Sequence, residues 1–148
     1  MKHRVRTIAI ASILFTLPLA MGQTAWDIDP AHSAAQFQVK HLMISTVRGE
    51  FGKMSGKVNF DGKSYASVRA EAEINVASIN TREPKRDNHL RSADFFDAAS
   101  YPTITFKSKR VEGIRSNKFK LVGDLTIRGT TKEVVLDVEA SSAIKGMN

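Results

Sequence analysis

Three histidines and one polar run are the parts of this chain whose residue types suit acid–base or metal chemistry. The histidines are His32, His41 and His89, setting aside His3 near the N-terminus. No His-x-x-x-His or His-Glu-x-x-His spacing joins any of them. A metal site would therefore need His32 or His41 to meet a distant carboxylate, and no metal ligand set is expected. Ser33, Ser45 and Ser92 lie near histidines, but no Gly-x-Ser-x-Gly elbow is present to expose a nucleophile. Cysteine is absent, which excludes thiol catalysis, cysteine-ligated zinc and cysteine-linked haem. Catalytic residues are accordingly expected to be none.

The polar run is denser. Arg86, Asp87, Asn88, His89, Arg91 and Asp94 crowd beside Leu90, Phe95 and Phe96. Two readings stay open. In one, Arg86, His89 or Arg91 meets the polar head of a ligand while Phe95 and Phe96 touch its tail, since a guanidinium fork suits phosphate or quinone oxygens. In the other, Arg86/Asp87 and Arg91/Asp94 form local pairs that fix a helical insertion, with the aromatics as core.

The elements that would position these residues are strands. Ala35, Phe37 and Val39 alternate with Gln36, Gln38 and Lys40, which predicts a strand over about Ser33–His41. A longer strand is expected from about Thr46 to Phe60. Its apolar parity shifts between Phe51 and Met54, which predicts a β-bulge near Gly52-Lys53. Between the two strands, Leu42, Met43 and Ile44 form an apolar connection where loops are normally polar, so they are expected to close one end of a barrel. Asp61-Gly62-Lys63 reads as a hairpin turn. Val68, Ala70, Ala72, Ile74 and Val76 then share a face opposite Arg69, Glu71, Glu73 and Asn75. The stretch 77–100 breaks the pattern; Asn80 or Thr81 would cap a short helix running into Arg91, and Ser92 a second one. Strands resume at about Thr103–Val111, Asn117–Ile127 and Lys132–Ser141. The count is six full strands in one all-β domain.

Residues 1–22 have the order of an export signal. Lys2, Arg4 and Arg6 precede an apolar run, Thr7–Leu19, and Ala20 and Gly22 supply small residues before a cleavage point near Gln23. The run is too short for a comfortable membrane span. Taking those three basic residues from the 22 in the chain leaves 19 against 15 acidic ones, a net of +4. That is an ordinary soluble surface and not the footprint of a nucleic-acid binder. The expected address is the periplasm, with a mature domain over 23–148.

The alternation places Phe37, Val39, Ala70, Ala72, Ile74, Ile104, Phe106, Leu121, Leu125, Leu136 and Val138 on the inward side. The smallness of Ala35, Gly56, Ala70 and Ala72 favours an internal cavity; a filled core of the same residue types remains the alternative. The rim or end of such a cavity would be Leu42, Met43, Ile44, Arg86, His89, Arg91, Phe95 and Phe96.

Three separated segments carry a resemblance: WDIDPAHSAAQFQVKHLMISTVRGEFGKMSGKVNF, RDNHLRSADFFDAASYPTITFKS and GDLTIRGTTKEV. Together they resemble the YceI-like family over essentially all of the mature chain. The resemblance implies a lipocalin-like, antiparallel up-and-down β-barrel with a short helical insertion. It also implies export to the periplasm and binding of a long isoprenoid, such as a quinone or polyprenyl phosphate, with other amphiphilic lipids bound by some members. No cofactor is implied. Members carry about two more strands after the segment matching Glu133–Ser141, so the resemblance is to an incomplete barrel, about six strands of eight, truncated at the C-terminus. Open edges in such a barrel predict marginal stability or association, with a homodimer as one outcome. The leading expectation is a non-enzymatic lipid carrier or store. Its rivals are an enzyme acting on the same lipid through His41, His89 or Asp94, and an oligonucleotide-binding barrel, against which the export signal argues.

Overall fold

A computed structural model describes residues 24–41 and 45–141. Both the segment expected to be a leader and the Leu42, Met43 and Ile44 connection lie outside the described residues. Among the described residues nine strands are present: β1 (Thr24–Asp27), β2 (Ala35–His41), β3 (Ser45–Phe51), β4 (Met54–Phe60), β5 (Arg69–Asn75), β6 (Ile79–Asn80), β7 (Thr103–Arg115), β8 (Lys118–Ile127) and β9 (Thr130–Glu139). They form a six-stranded sheet in the order β1-β4-β5-β7-β8-β9 and a three-stranded sheet in the order β2-β3-β6, with every pairing antiparallel.

The two sheets are one meander with a shared corner. β1 pairs with β4 and β2 with β3, while β4 pairs with β5 and β3 with β6. Each of the first three runs, β1/β2, β3/β4 and β5/β6, therefore begins in one sheet and ends in the other. The corner is tied together by main chain. Gly52 donates its amide to Ser78 O at 3.2 Å, Lys53 donates to Ser78 Oγ at 3.1 Å, and Asn75 donates to Lys53 O at 3.0 Å. The predicted long strand from Thr46 to Phe60 is thus two strands. The parity shift at Gly52-Lys53 is real, but it marks a change of sheet and not a bulge, because the bend is sharp enough to give β3 and β4 different ladders. The bulges that do occur are in β7 against β8, between Ser108 and Arg110 and between Glu112 and Arg115.

Two apolar clusters fill the concave side. One, at the corner, is built on Phe51, Val76, Ile79 and Ile104, with Phe37, Ile74, Leu90 and Phe96 packed against it. The other is built on Val68, Phe106, Phe119 and Leu121, joined by Val58, Tyr65, Ala70, Ala72 and Val138. At its far end Tyr65 stacks between Phe60 and Phe119, with ring centroids 5.6 and 5.2 Å away. Tyr65 belongs to a 3-10 turn, Tyr65–Ser67, so Asp61-Gly62-Lys63 opens a longer connection than the tight hairpin expected.

The insertion holds one helix, α1 (Pro84–Arg91). Its cap is Glu83, whose carboxylate accepts the Lys85 amide, in place of the predicted Asn80 or Thr81. Ser92 closes this helix and is followed by turns instead of a second helix. Ordered by ladder, the first run and β9 are the two margins. Among the described residues β2 pairs only with β3 and β9 only with β8, so the sheet is not closed into a complete barrel. Ile79, 1 % exposed in the corner cluster, has the least room to relax. Ile79→Ala is expected to cost about 2–5 kcal/mol in urea unfolding, as buried large-to-small changes do.

Candidate functional site

Residues opposite each other in an antiparallel ladder point to the same side, so the register defines the concave face. Met54, Ile74 and Ile104 form one row across β4, β5 and β7. Gly56, Ala72, Phe106 and Leu125 form the next, reaching β8. Phe37 and Val39 extend the face on β2, and Leu136 and Val138 extend it on β9, opposite Leu121 and Phe119. All eleven inward residues expected from the alternation are therefore placed on one face, but at different depths. Ile104, Phe106 and Leu121 are buried; Phe37, Ala70, Ala72, Ile74, Leu125 and Val138 are half-buried in the two clusters. Val39 and Leu136, on the two margins, are 55 % and 42 % exposed.

One residue of this face escaped the periodicity. Trp26, the only tryptophan, stands opposite Val58 on the β1–β4 ladder and is 55 % exposed. Its strand has four residues, too few for a period to register, although Trp26 and Ile28 do share a parity. The face is thus an apolar trough whose floor is packed and whose margins show Trp26, Val39 and Leu136 to solvent. Part of the room that small residues seemed to leave is already taken. A side chain at Gly123 would meet Lys107 O at 2.5 Å and the Phe106 ring at 2.7 Å, and one at Gly56 would meet the Glu71 carbonyl first and then Ile28 Cδ1 at 2.9 Å. Here glycine admits a neighbour's side chain from across the sheet.

The insertion is anchored by its charged groups. Asp87, buried, accepts the Thr81 amide at 2.9 Å and the Thr81 hydroxyl at 2.6 Å. Arg86 donates to Thr81 Oγ1 at 2.7 Å and to Thr81 O at 2.9 Å. Arg91 directs all three guanidinium nitrogens into the protein: to Ala77 O at 2.9 Å, Ile79 O at 2.8 Å and Asn88 Oδ1 at 3.0 Å. These are neither the Arg86/Asp87 and Arg91/Asp94 pairs nor donors aimed at a ligand. Asp94 instead meets His89 at 3.2 Å, with the imidazole edge-on to Phe95 at 4.8 Å between ring centroids. Phe96 packs edge-on against Phe51 at 5.9 Å, while Phe95 is 47 % exposed. Arg128, from the β8–β9 turn, ties the insertion to the sheet through Phe95 O at 2.8 Å and Ala93 O at 2.7 Å. His32 pairs with Asp29 at 2.7 Å on the surface, and this hydrogen bond holds the Asp29 carboxyl below its usual range. Among the described residues no cluster of three or more His, Asp or Glu could hold a metal ion.

On the convex side, β9 is held to β7 and β8 by charge. Arg110 meets Glu133 at 3.1 Å and Glu112 at 2.6 Å, and Lys109 meets Asp124 at 2.6 Å and Glu133 at 3.4 Å. The Arg110 hydrogen bond, then that of Lys109, lowers the Glu133 carboxyl from its ordinary value, and these pairs raise both cations. A pKa depressed on folding stabilises above the unfolded value and stops doing so as pH falls through the folded value.

An antiparallel up-and-down sheet curled round an apolar face, with one short helix packed at its corner, defines a lipocalin-like architecture. The YceI-like domain matches residues 26–147, and the chain belongs to that family. A UPF0312 protein of Staphylococcus aureus (strain bovine RF122 / ET3-1) is 43% identical over 122 residues, which is 82% of this chain and 68% of the relative. Among solved structures, BcnA of Burkholderia cenocepacia superposes with a TM-score of 0.73 at 31% identity, covering 78% of this chain and 72% of that one. The YceI protein of Campylobacter jejuni superposes with a TM-score of 0.65 at 43% identity, covering 80% and 70%.

Two outcomes follow from the anchoring groups. Asp87→Ala, which strips both Thr81 donors of their acceptor, should cost about 1–3 kcal/mol in urea unfolding. Glu133→Gln should lower the urea midpoint slightly at pH 7, as exposed pairs do. That difference should vanish in acid below the carboxylate range, where the wild-type pairs are themselves lost.

Proposed function

We propose that the protein binds an amphiphilic lipid in the periplasm, as a carrier or store, and that the lipid is a polyisoprenoid such as a quinone or polyprenyl phosphate. The observation that carries this reading is the apolar trough, whose margins leave Trp26, Val39 and Leu136 in solvent on the same side as the packed clusters. A linear hydrocarbon laid along it would cover those side chains, and each buried methylene contributes about 0.8 kcal/mol. Membership of the YceI-like family supports the ligand class, and the leader supports the compartment. Selectivity would come from the length and width of the trough. We assign no chemical step: the His89–Asp94 pair is exposed and packs on Phe95, where it serves the insertion.

The full chain, expressed with its leader and recovered from the periplasmic fraction, should carry an isoprenoid detectable by native mass spectrometry and lipid extraction. Trp26 is a built-in reporter. Adding a polyprenyl phosphate should shift its emission to the blue as the indole leaves water. Val39→Asp and Leu136→Asp, at sites already exposed, should weaken binding while leaving the unfolding midpoint nearly unchanged. No co-purifying lipid, together with no Trp26 response to any polyprenyl compound, would refute the reading.

A further inference from the structure

The solvent side of the β2–β3–β6 sheet holds a concavity of about 580 Å3, a size within the range of small-molecule sites. Its wall follows from register. Gln36 stands opposite Glu50 and Gln38 opposite Arg48, and Glu50 stands opposite Asn80 on the other ladder. These five side chains share the face turned away from the lipid trough, and all five residues are exposed. Arg82 completes the wall from the residue pair that follows β6.

Two observations coincide at this place. The first concerns its cations. On the larger sheet Lys57, Lys107, Lys109, Arg110, Lys118 and Lys120 all meet carboxylates, and Arg86, Arg91 and Arg128 bind main-chain carbonyls. Among the described residues the guanidiniums of Arg48, Arg82 and Arg115 have neither kind of partner, and of these three Arg48 and Arg82 line one concavity. The second concerns the backbone. Arg82 has φ 64°, the left-handed region that residues with a Cβ avoid, and of the four non-glycine residues there (Arg82, Asp97, Ser116 and Arg128) it is the one that lines this concavity. Its amide is pinned by Asn80 Oδ1 at 2.9 Å, so the strained residue is held beside the amide that shares its pocket.

We propose that this concavity binds the phosphate ester of a polyol. Arg48 and Arg82 hold the phosphate, for which two planar donor forks are suited. Gln36, Gln38 and Asn80 offer both donors and acceptors to hydroxyls, and Glu50 accepts from them. Glu50 also sets the selectivity: it repels a bare phosphate but takes hydrogen bonds from a polyol attached to one. The same chemistry occurs in a soluble polyol phosphate and in a phospholipid head group. Its polar side chains lie on the face turned away from the trough, and Phe37, which packs toward the trough, also borders the concavity.

The test is an NMR titration of the full chain, isotope-labelled, with glycerol 1-phosphate, inorganic phosphate and phosphatidylglycerol vesicles. The Nε–H groups of Arg48 and Arg82 and the Asn80 side-chain amide should respond, and glycerol 1-phosphate should act at lower concentration than inorganic phosphate. Arg48→Gln and Arg82→Gln should each weaken binding about tenfold, as loss of a charge-assisted pair does. Arg82→Gly should weaken it equally while leaving Tm unchanged or raised, because glycine relieves the left-handed backbone. Glu50→Gln should narrow the preference for glycerol 1-phosphate over inorganic phosphate. Vesicle binding at matched head-group concentration assigns the ligand to a lipid surface, and binding of glycerol 1-phosphate alone assigns it to a soluble ester. The proposal is overturned if responses are absent or spread equally over Lys57, Lys107 and Lys118. It is overturned equally if inorganic phosphate binds as tightly as glycerol 1-phosphate, or if Arg82→Gly binds as the wild type does.

Discussion

Where the chain leaves β3 for β4, the amides of Gly52 and Lys53 are taken by Ser78, which sits in the turn where the neighbouring run bends as well. A strand that turns a corner alone would leave main-chain donors and acceptors unpaired. Here adjacent runs bend at the same level, so the groups that one ladder releases are satisfied by the next run. The Ser78 hydroxyl contributes on both sides of the bend, accepting from Lys53 and donating to Asn75 O at 2.6 Å. With the corner fixed, Phe51, Val76 and Ile79 converge behind it and the insertion packs over them through Leu90 and Phe96. The trough, its depth and the placement of the helix all follow from that shared bend.

The insertion shows how charge can serve position. A run rich in arginine beside aromatic residues invites a binding role. Yet Arg86 and Arg91 donate to the main-chain carbonyls of Thr81, Ala77 and Ile79 ahead of the helix, and Arg128 to those of Ala93 and Phe95 in the turns after it. Each such bond is charge-assisted, and together they fasten a segment of low apolar content to the sheet. Of the three arginines left without such partners among the described residues, Arg48 and Arg82 lie on the other side of the small sheet, outside the densest polar run, and Arg115 ends β7. Density of charge in the sequence is therefore a poor guide to which cations are available.

Much of the fold was legible because period two is a direct image of the pleat. The faces of β5, β8 and β9 could be read from Ala70 to Ile74, from Phe119 to Ile127 and from Val134 to Val138, and the ladders confirm their side. Side is not depth, however. Val39 and Leu136 obey the alternation and are still exposed, because depth depends on the strand beyond, which alternation does not encode. A parity shift likewise counts residues and carries no angle, so Gly52-Lys53 could be located but not recognised as a corner. The roles of Arg86 and Arg91 were illegible for a different reason. Their partners are carbonyl oxygens, which every residue has, so no spacing of side-chain types reveals them.

The wiring of the sheet has a consequence for how the chain assembles. Each run pairs with the run before it, from β1/β2 through to β9, and no ladder joins strands from distant parts of the described sequence. Loop closure between consecutive strands carries a small entropic cost, and topologies dominated by such closures fold quickly for their size. A polypeptide threaded through a membrane from its N-terminus would present its hairpins in the order in which they pair. The corner at Gly52 and Ser78 would be complete before β7 emerged, offering a preformed edge for each later strand. Up-and-down order thus lets early hairpins stand without cysteine cross-links, which this chain lacks.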